Sequence, residues 1–129
     1  LGLAPSDRIQ TPMAFIVGKS DAWAHLLPEP LEPTVKNGML DLGAIDRNSD
    51  RVRTVLKELC PGLVVTAESL AKNLRFFAAT SFGHTPVILT AGPNSGRIAP
   101  DPKRLAPARV EDPVYWILHL TSPSMLPCI

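Results

Sequence analysis

Two cysteines and three histidines are the side chains of this chain best suited to covalent or metal chemistry, and their spacing decides how much of either is available. Cys60 and His84 are the thiol and imidazole that a compact middle segment brings together, and a thiolate beside an imidazole makes a nucleophile. Cys60, however, stands at the C-terminal end of an expected helix, where the dipole disfavours a thiolate, and no third residue is placed to orient the ring. A structural cysteine is the plainer expectation. His25, His84 and His119 fall one to a segment, never at the i, i+3 or i, i+4 spacing that puts two ligands on one helix face, so no shared metal is expected. Cys60 and Cys128 form neither a Cys-x-x-Cys pair nor a disulfide framework, which points to reduced thiols in an intracellular compartment.

Asp41, Asp46 and Asp50 gather at the exit of the first expected strand of the middle segment, where α/β folds place catalytic or metal-binding carboxylates. Capping and turn formation already account for Asp46 and Asp50. Gly92-Pro93-Asn94-Ser95-Gly96-Arg97 has the look of a phosphate loop, but it lacks the Lys-Ser/Thr ending and no helix signal follows it, so it reads as a turn. Arg97, Lys103, Arg104 and Arg109 make a basic stretch without interleaved aromatics, which suits an acidic protein neighbour or plain solvation better than RNA. No catalytic, cofactor-binding or metal-ligating residue is assigned, and no cofactor is expected.

Proline placement organises the elements. Of 14 prolines, five lie in residues 1–34, one in 35–85 and eight in 86–129. Proline lacks an N–H and disfavours helix in the residue before it, so the folded core is expected in the middle. The expected units are an extended N-terminal arm over 1–34 with a short helix, an α/β core over 35–90, and a proline-rich loop, one further strand and an irregular tail over 91–129. In the first arm, Met13–Val17 is a short apolar run, Ser20 caps a helix over 21–27 that Pro28 ends, and Pro28–Pro33 is an extended spacer. In the core, alternation predicts a strand over 39–45. Ser49 then caps a helix in which Val52, Val55, Leu56 and Leu59 share one face, and Leu63–Val65 is a strand. Thr66 caps a second helix whose stripe runs through Leu70, Leu74 and Phe77 to Gly83. Val87–Leu89 is a buried strand, and Val114–Thr121 a later one.

With 129 residues, one domain with one core is expected. Thirteen Lys and Arg against 12 Asp and Glu leave a net charge of +1, which disfavours a general nucleic-acid binder. The longest apolar run, Val114–Leu120, is far too short to cross a bilayer, so the chain reads as soluble or peripheral at most. It opens on Leu1 rather than Met and carries no targeting segment, so it reads as processed or as a piece of something longer. Charge is low, at 19% of residues, and apolar side chains are scattered through both ends at Leu3, Ile9, Leu105, Met125, Leu126 and Ile129. That composition favours ends docked on a surface over solvated disorder.

Pro61-Gly62-Leu63-Val64-Val65, a helix through Leu74 and Phe77 ending at Ser81-Phe82-Gly83, and then Val87-Ile88-Leu89 resemble the thioredoxin-like subunits without a redox role found in respiratory NADH dehydrogenase and in the large mitochondrial ribosomal subunit. The resemblance covers Met39–Leu89 and implies a thioredoxin-like β-α-β-α-β core, an accessory role in a mitochondrion, and no catalytic residue.

The expected function is therefore a non-catalytic accessory subunit whose proline-rich arms tie together protein neighbours in a large, organellar assembly. Trp23, Tyr115 and Trp116 are the expected interface anchors, because aromatics dominate interface energetics; core packing is the alternative role for each. The rival is a small enzyme or ligand-binding domain with its site near Asp46 and His84, covered by residues 91–113.

Overall fold

The computed structural model describes residues 7–129; Leu3 and the opening of the chain lie outside them. The strands are β1 (Met13–Val17), β2 (Val35–Lys36), β3 (Met39–Leu40), β4 (Leu74–Ala78), β5 (Val87–Ile88) and β6 (Ile98–Ala99), and the helices are α1 (Ser20–Trp23), α2 (Leu42–Leu59), α3 (Pro61–Leu70) and α4 (Asp112–Thr121). The fold is mixed α/β. Its centre is a two-stranded parallel sheet in which β1 pairs with β4, from Met13 opposite Leu74 to Val17 opposite Ala78. The long connection between them holds α1, the β2–β3 hairpin, α2 and α3.

Alternation along the two strands builds two cores. On one face Phe15, Val17, Phe76 and Ala78 pack with Val52 of α2 and with Val64 and Ala67 of α3, the Phe15 and Phe76 rings 5.6 Å apart. On the other face Ala14 and Phe77 pack with Leu40, Ile45 and Trp116 of α4, and the Phe77 and Trp116 rings stand 5.8 Å apart. Helix α2 contributes to both cores because it runs along the outer edge of β4. Between Ile45 and Val52, the Ser49 hydroxyl accepts from the Phe76 N–H at 2.9 Å. Ser49 therefore satisfies a strand edge and does not cap a helix.

Several expected elements take another form. The strand expected over 39–45 shrinks to β3, because Asp41 caps α2 by accepting from the Ala44 N–H at 2.9 Å. Lys36, 2.7 Å away, and that amide hold the Asp41 carboxyl below its ordinary range. Leu63–Val65 lies in α3, for which Pro61 supplies the preset first residue, and not in a strand. The expected helix over 66–82 divides, since Lys72 and Asn73 interrupt it and Leu74–Ala78 is strand β4, buried on both faces as parallel strands are. Val114–Thr121 is helix α4, with Pro113 in its first turn and Trp116 inward. Val87 and Ile88 pair antiparallel with β6 and are not a buried strand of the central sheet. The segments that carry the thioredoxin-like resemblance thus have a different element order.

The boundary at residue 35 also moves. Strand β1 is half of the central sheet, so residues 13–17 belong to the core, and α4 makes residues 112–121 part of it. The spacer over 28–33 is fastened in cis. The Asn48 amide exchanges two 2.8 Å bonds with the Glu32 backbone, and Arg109 donates to the carbonyls of Leu31 and Glu32 at 2.9 and 2.8 Å. Arg47 grips the Glu32 carboxylate with two 2.8 Å bonds and is the main cause of its pKa falling to about 2. The C-terminal tail pairs with β3: Leu40 donates to Pro127 at 2.8 Å and accepts from Ile129 at 2.9 Å. By contrast, residues 90–98 are all exposed. Limited proteolysis of the folded chain is accordingly expected to cut first within 90–98. Earlier loss of residues 122–129 would show that the tail is not held.

Candidate functional site

The largest concentration of ionisable groups lines an open cleft of about 520 Å³ at the N-terminal end of β4. Asp46, Asp50 and Arg53 come from α2, Glu68 from α3, and Arg75 from β4, with Lys72 just before it. Helical spacing explains the α2 set, because Asp46, Asp50 and Arg53 are four and three residues apart and share one face. Arg75 donates to Asp46 at 2.7 Å, and Arg53 donates from Nε and Nη2 to the two Glu68 carboxylate oxygens. The Arg53 hydrogen bond keeps the Glu68 carboxyl below its ordinary range, and Glu68 in turn raises Arg53. The Glu68 carboxyl is thus held ionised by a guanidinium and Asp46 is paired with Arg75, an arrangement that suits a structural ion-pair network. The cleft also lies at the opposite end of the parallel strands from the carboxyl ends where α/β sites collect.

His84 does not line this cleft. It is buried in the loop after β4, with Nδ1 2.7 Å from the Thr85 carbonyl, which can only accept; the proton therefore sits on Nδ1. Its Nε2 meets no hydrogen-bonding protein atom among the described residues. Asp46 and His84 are therefore not gathered into one cavity.

Cys60 is exposed at the junction of α2 and α3. The thiol and imidazole that do meet are Cys128 and His119, with Sγ 3.1 Å from Nδ1. The turn Pro123–Met125 reverses the chain after α4 and lays the tail back beside the last helical turn. Ser122-Pro123 after an apolar run is the sequence signal for that reversal, hidden while Val114–Thr121 reads as a strand. Among the described residues no three His, Cys, Asp or Glu side chains stand close enough to hold a metal ion.

The expected anchors divide. Trp116 is 4% exposed and is core. Trp23 is half-buried against the α2–α3 side and donates its indole N–H to the Gly18 carbonyl at 2.9 Å; Tyr115 is half-buried beside Leu40 and Phe77. The basic stretch is likewise split, since Arg109 is occupied by the 28–33 strap while Arg97, Lys103 and Arg104 are exposed.

A surface absent from the sequence reading is the β5–β6 hairpin. Ile88 and Ile98 are directly paired across it and are 65% and 74% exposed. Its end is closed by the Leu89–Arg97 and Gly96–Leu89 backbone bonds, so the glycine-rich segment over 92–97 is a hairpin turn. No helix among the described residues is long and apolar enough to cross a membrane. No protein-family model matches the chain, and no curated protein or solved structure matches it.

Proposed function

We propose that the chain is a non-catalytic accessory subunit that docks on a protein neighbour through the β5–β6 hairpin. The observation that carries this reading is the exposed Ile88–Ile98 pair on a hairpin whose end, residues 90–98, is wholly solvent-facing. An ordered hairpin that presents two β-branched side chains is preorganised, so docking forfeits little ordering entropy. Arg97 at its turn, with the exposed Lys103 and Arg104 a few residues after β6 in the sequence, suits a partner with an apolar slot and an acidic rim. Of the expected arms, residues 1–34 and 91–129, the strap over 28–33 and the tail are bonded in cis and have no part in this contact, which falls to the hairpin. The mitochondrial setting and the thioredoxin-like core rest only on the resemblance over Met39–Leu89, and the docking proposal does not depend on them.

The test is size fractionation of native extracts. The wild-type chain is expected in a fraction far larger than its own mass, and Ile98→Asp in the free fraction, with stability within about 0.5 kcal/mol of wild type because the side chain is exposed. Wild-type chain migrating at its own mass in the extract would reject the subunit reading.

A further inference from the structure

Among the described residues the central sheet has one edge closed and one open. The bonds that bracket the ladder, Met13 N–H to Asn73 and Ala79 N–H to Val17, show that β1 uses its odd residues to pair with β4. A parallel ladder sends alternate residues to opposite sides, so the N–H and C=O groups of Ala14 and Ile16 point away from β4. Neither amide has an acceptor among the described residues. This window is sharply bounded: Pro12 has no N–H to offer at one end, and the Trp23 indole occupies the Gly18 carbonyl at the other. The edge is also apolar. Ile16 is 54% exposed, β1 carries no charge, and beside it Met13, Phe15, Leu63 and Leu70 line a groove of about 410 Å³ between β1 and α3.

We infer that this edge pairs with the same edge of a second copy of the chain, giving a continuous four-stranded sheet in the order β4, β1, β1 of the partner, β4 of the partner. A two-fold axis through Phe15 sets Ala14 opposite Ile16 of the other copy and the reverse. Antiparallel pairing then satisfies all four outward groups on each side. Charge favours a copy over a different protein. In a two-fold contact only groups close to the axis meet their own copies, so a charge there would face the same charge, and this window has none. Glu68, the one charge on α3, is turned into the cleft by Arg53. The association closes at two copies, because Ser49 and α2 cover the outer edge of β4 and leave no second edge to extend. An uncharged, uncovered strand edge is otherwise an aggregation hazard, and closed pairing removes it.

The experiment is sedimentation equilibrium of the full chain, with amide hydrogen exchange on the same sample. The expected result is twice the mass of one chain, with the Ala14 and Ile16 amides protected although no group among the described residues of their own chain binds them. Ile16→Lys, which puts a cation beside the axis on each copy, is expected to weaken the dimer at least about tenfold while the β1–β4 bonds remain. A monomer at all concentrations, fast exchange at Ala14 and Ile16, or a dimer untouched by folded Ile16→Lys would each overturn the inference. Should Ile16→Lys not fold, the wild-type mass and exchange pattern decide alone. Ile98→Asp is expected to leave the dimer intact, so failure of the hairpin reading and failure of this one are separable.

Discussion

Trp116→Ala is expected to destabilise the chain by about 3–5 kcal/mol, the usual loss when a large buried aromatic is truncated, and to lower Tm by roughly 10–20 °C. The indole packs on Phe77, Leu40 and Ile45, and the Arg75 guanidinium lies 5.9 Å from its ring centroid. Arg75 is held there by Asp46, so the indole has hydrocarbon on one side and a tethered cation on another. A domain of this size has about 5–15 kcal/mol of stability in all, so the variant is expected to lose a large share of it. Chemical denaturation of wild type, Trp116→Phe and Trp116→Ala measures the effect, with Trp116→Phe falling between. A Trp116→Ala chain as stable as wild type but unable to enter its assembly would restore Trp116 as an interface anchor.

The reasons some elements were legible and others hidden lie in particular residues. The half of α2 that carries Val52 and Val55 shows a clean helical period and both are buried, yet its first two turns hide behind the Leu40–Leu42–Ala44 alternation, which competes with the Asp41 cap. In Leu74–Ala79 nearly every residue is apolar, so a period of two and a period of 3.6 fit equally well; only the break at Lys72-Asn73 distinguishes them, and its effect depends on β1 waiting to pair. The Met13–Val17 run is visible as apolar, but its partner lies beyond three helices and a hairpin, and no local pattern reports a parallel pairing of that span. Val114–Thr121 has strand composition, and the Asp112-Pro113 start together with packing on Phe77 makes it a helix. The Cys128–His119 pair and the grip of Arg109 on the strap are products of that tertiary arrangement. In the linear sequence those residues show only as a tail cysteine and a member of a basic stretch.

Arg109→Met is expected to cost about 3 kcal/mol, more than any surface arginine, because its guanidinium supplies three separate partners at once. It donates to the carbonyls of Leu31 and Glu32 and reaches the Asp112 carboxylate at 3.4 Å. Asp112 is buried at the start of α4, where the Thr34 hydroxyl donates to it at 2.6 Å. Burial raises its pKa above the ordinary 3.8, against the opposing pull of Thr34 and Arg109. A carboxyl raised in the folded state penalises folding when ionised, and that penalty disappears as pH falls below its unfolded value. Removing Arg109 raises Asp112 further, so the deficit of Arg109→Met relative to wild type is expected to be largest at neutral pH and to shrink toward pH 3.8. Glu32 runs the other way, its stabilisation being present above 4.5 and lost as pH falls toward 2, but it does so in both chains and drops out of the difference. Met keeps the hydrocarbon stem, so the loss reports the lost polar contacts. The backbone of residue 109, at φ 60, is left in a left-handed conformation with no polar side-chain contacts to hold it. Hydrogen exchange at the Glu32 amide, bonded to Asn48 in the fastened strap, supplies the local readout, and faster exchange is expected. A variant with wild-type stability and a protected Glu32 amide would mean that Asn48 and Arg47 hold the strap without Arg109. The strap would then be secured from α2 alone, leaving the Thr34–Asp112 bond as the polar tie of α4 beside its apolar face.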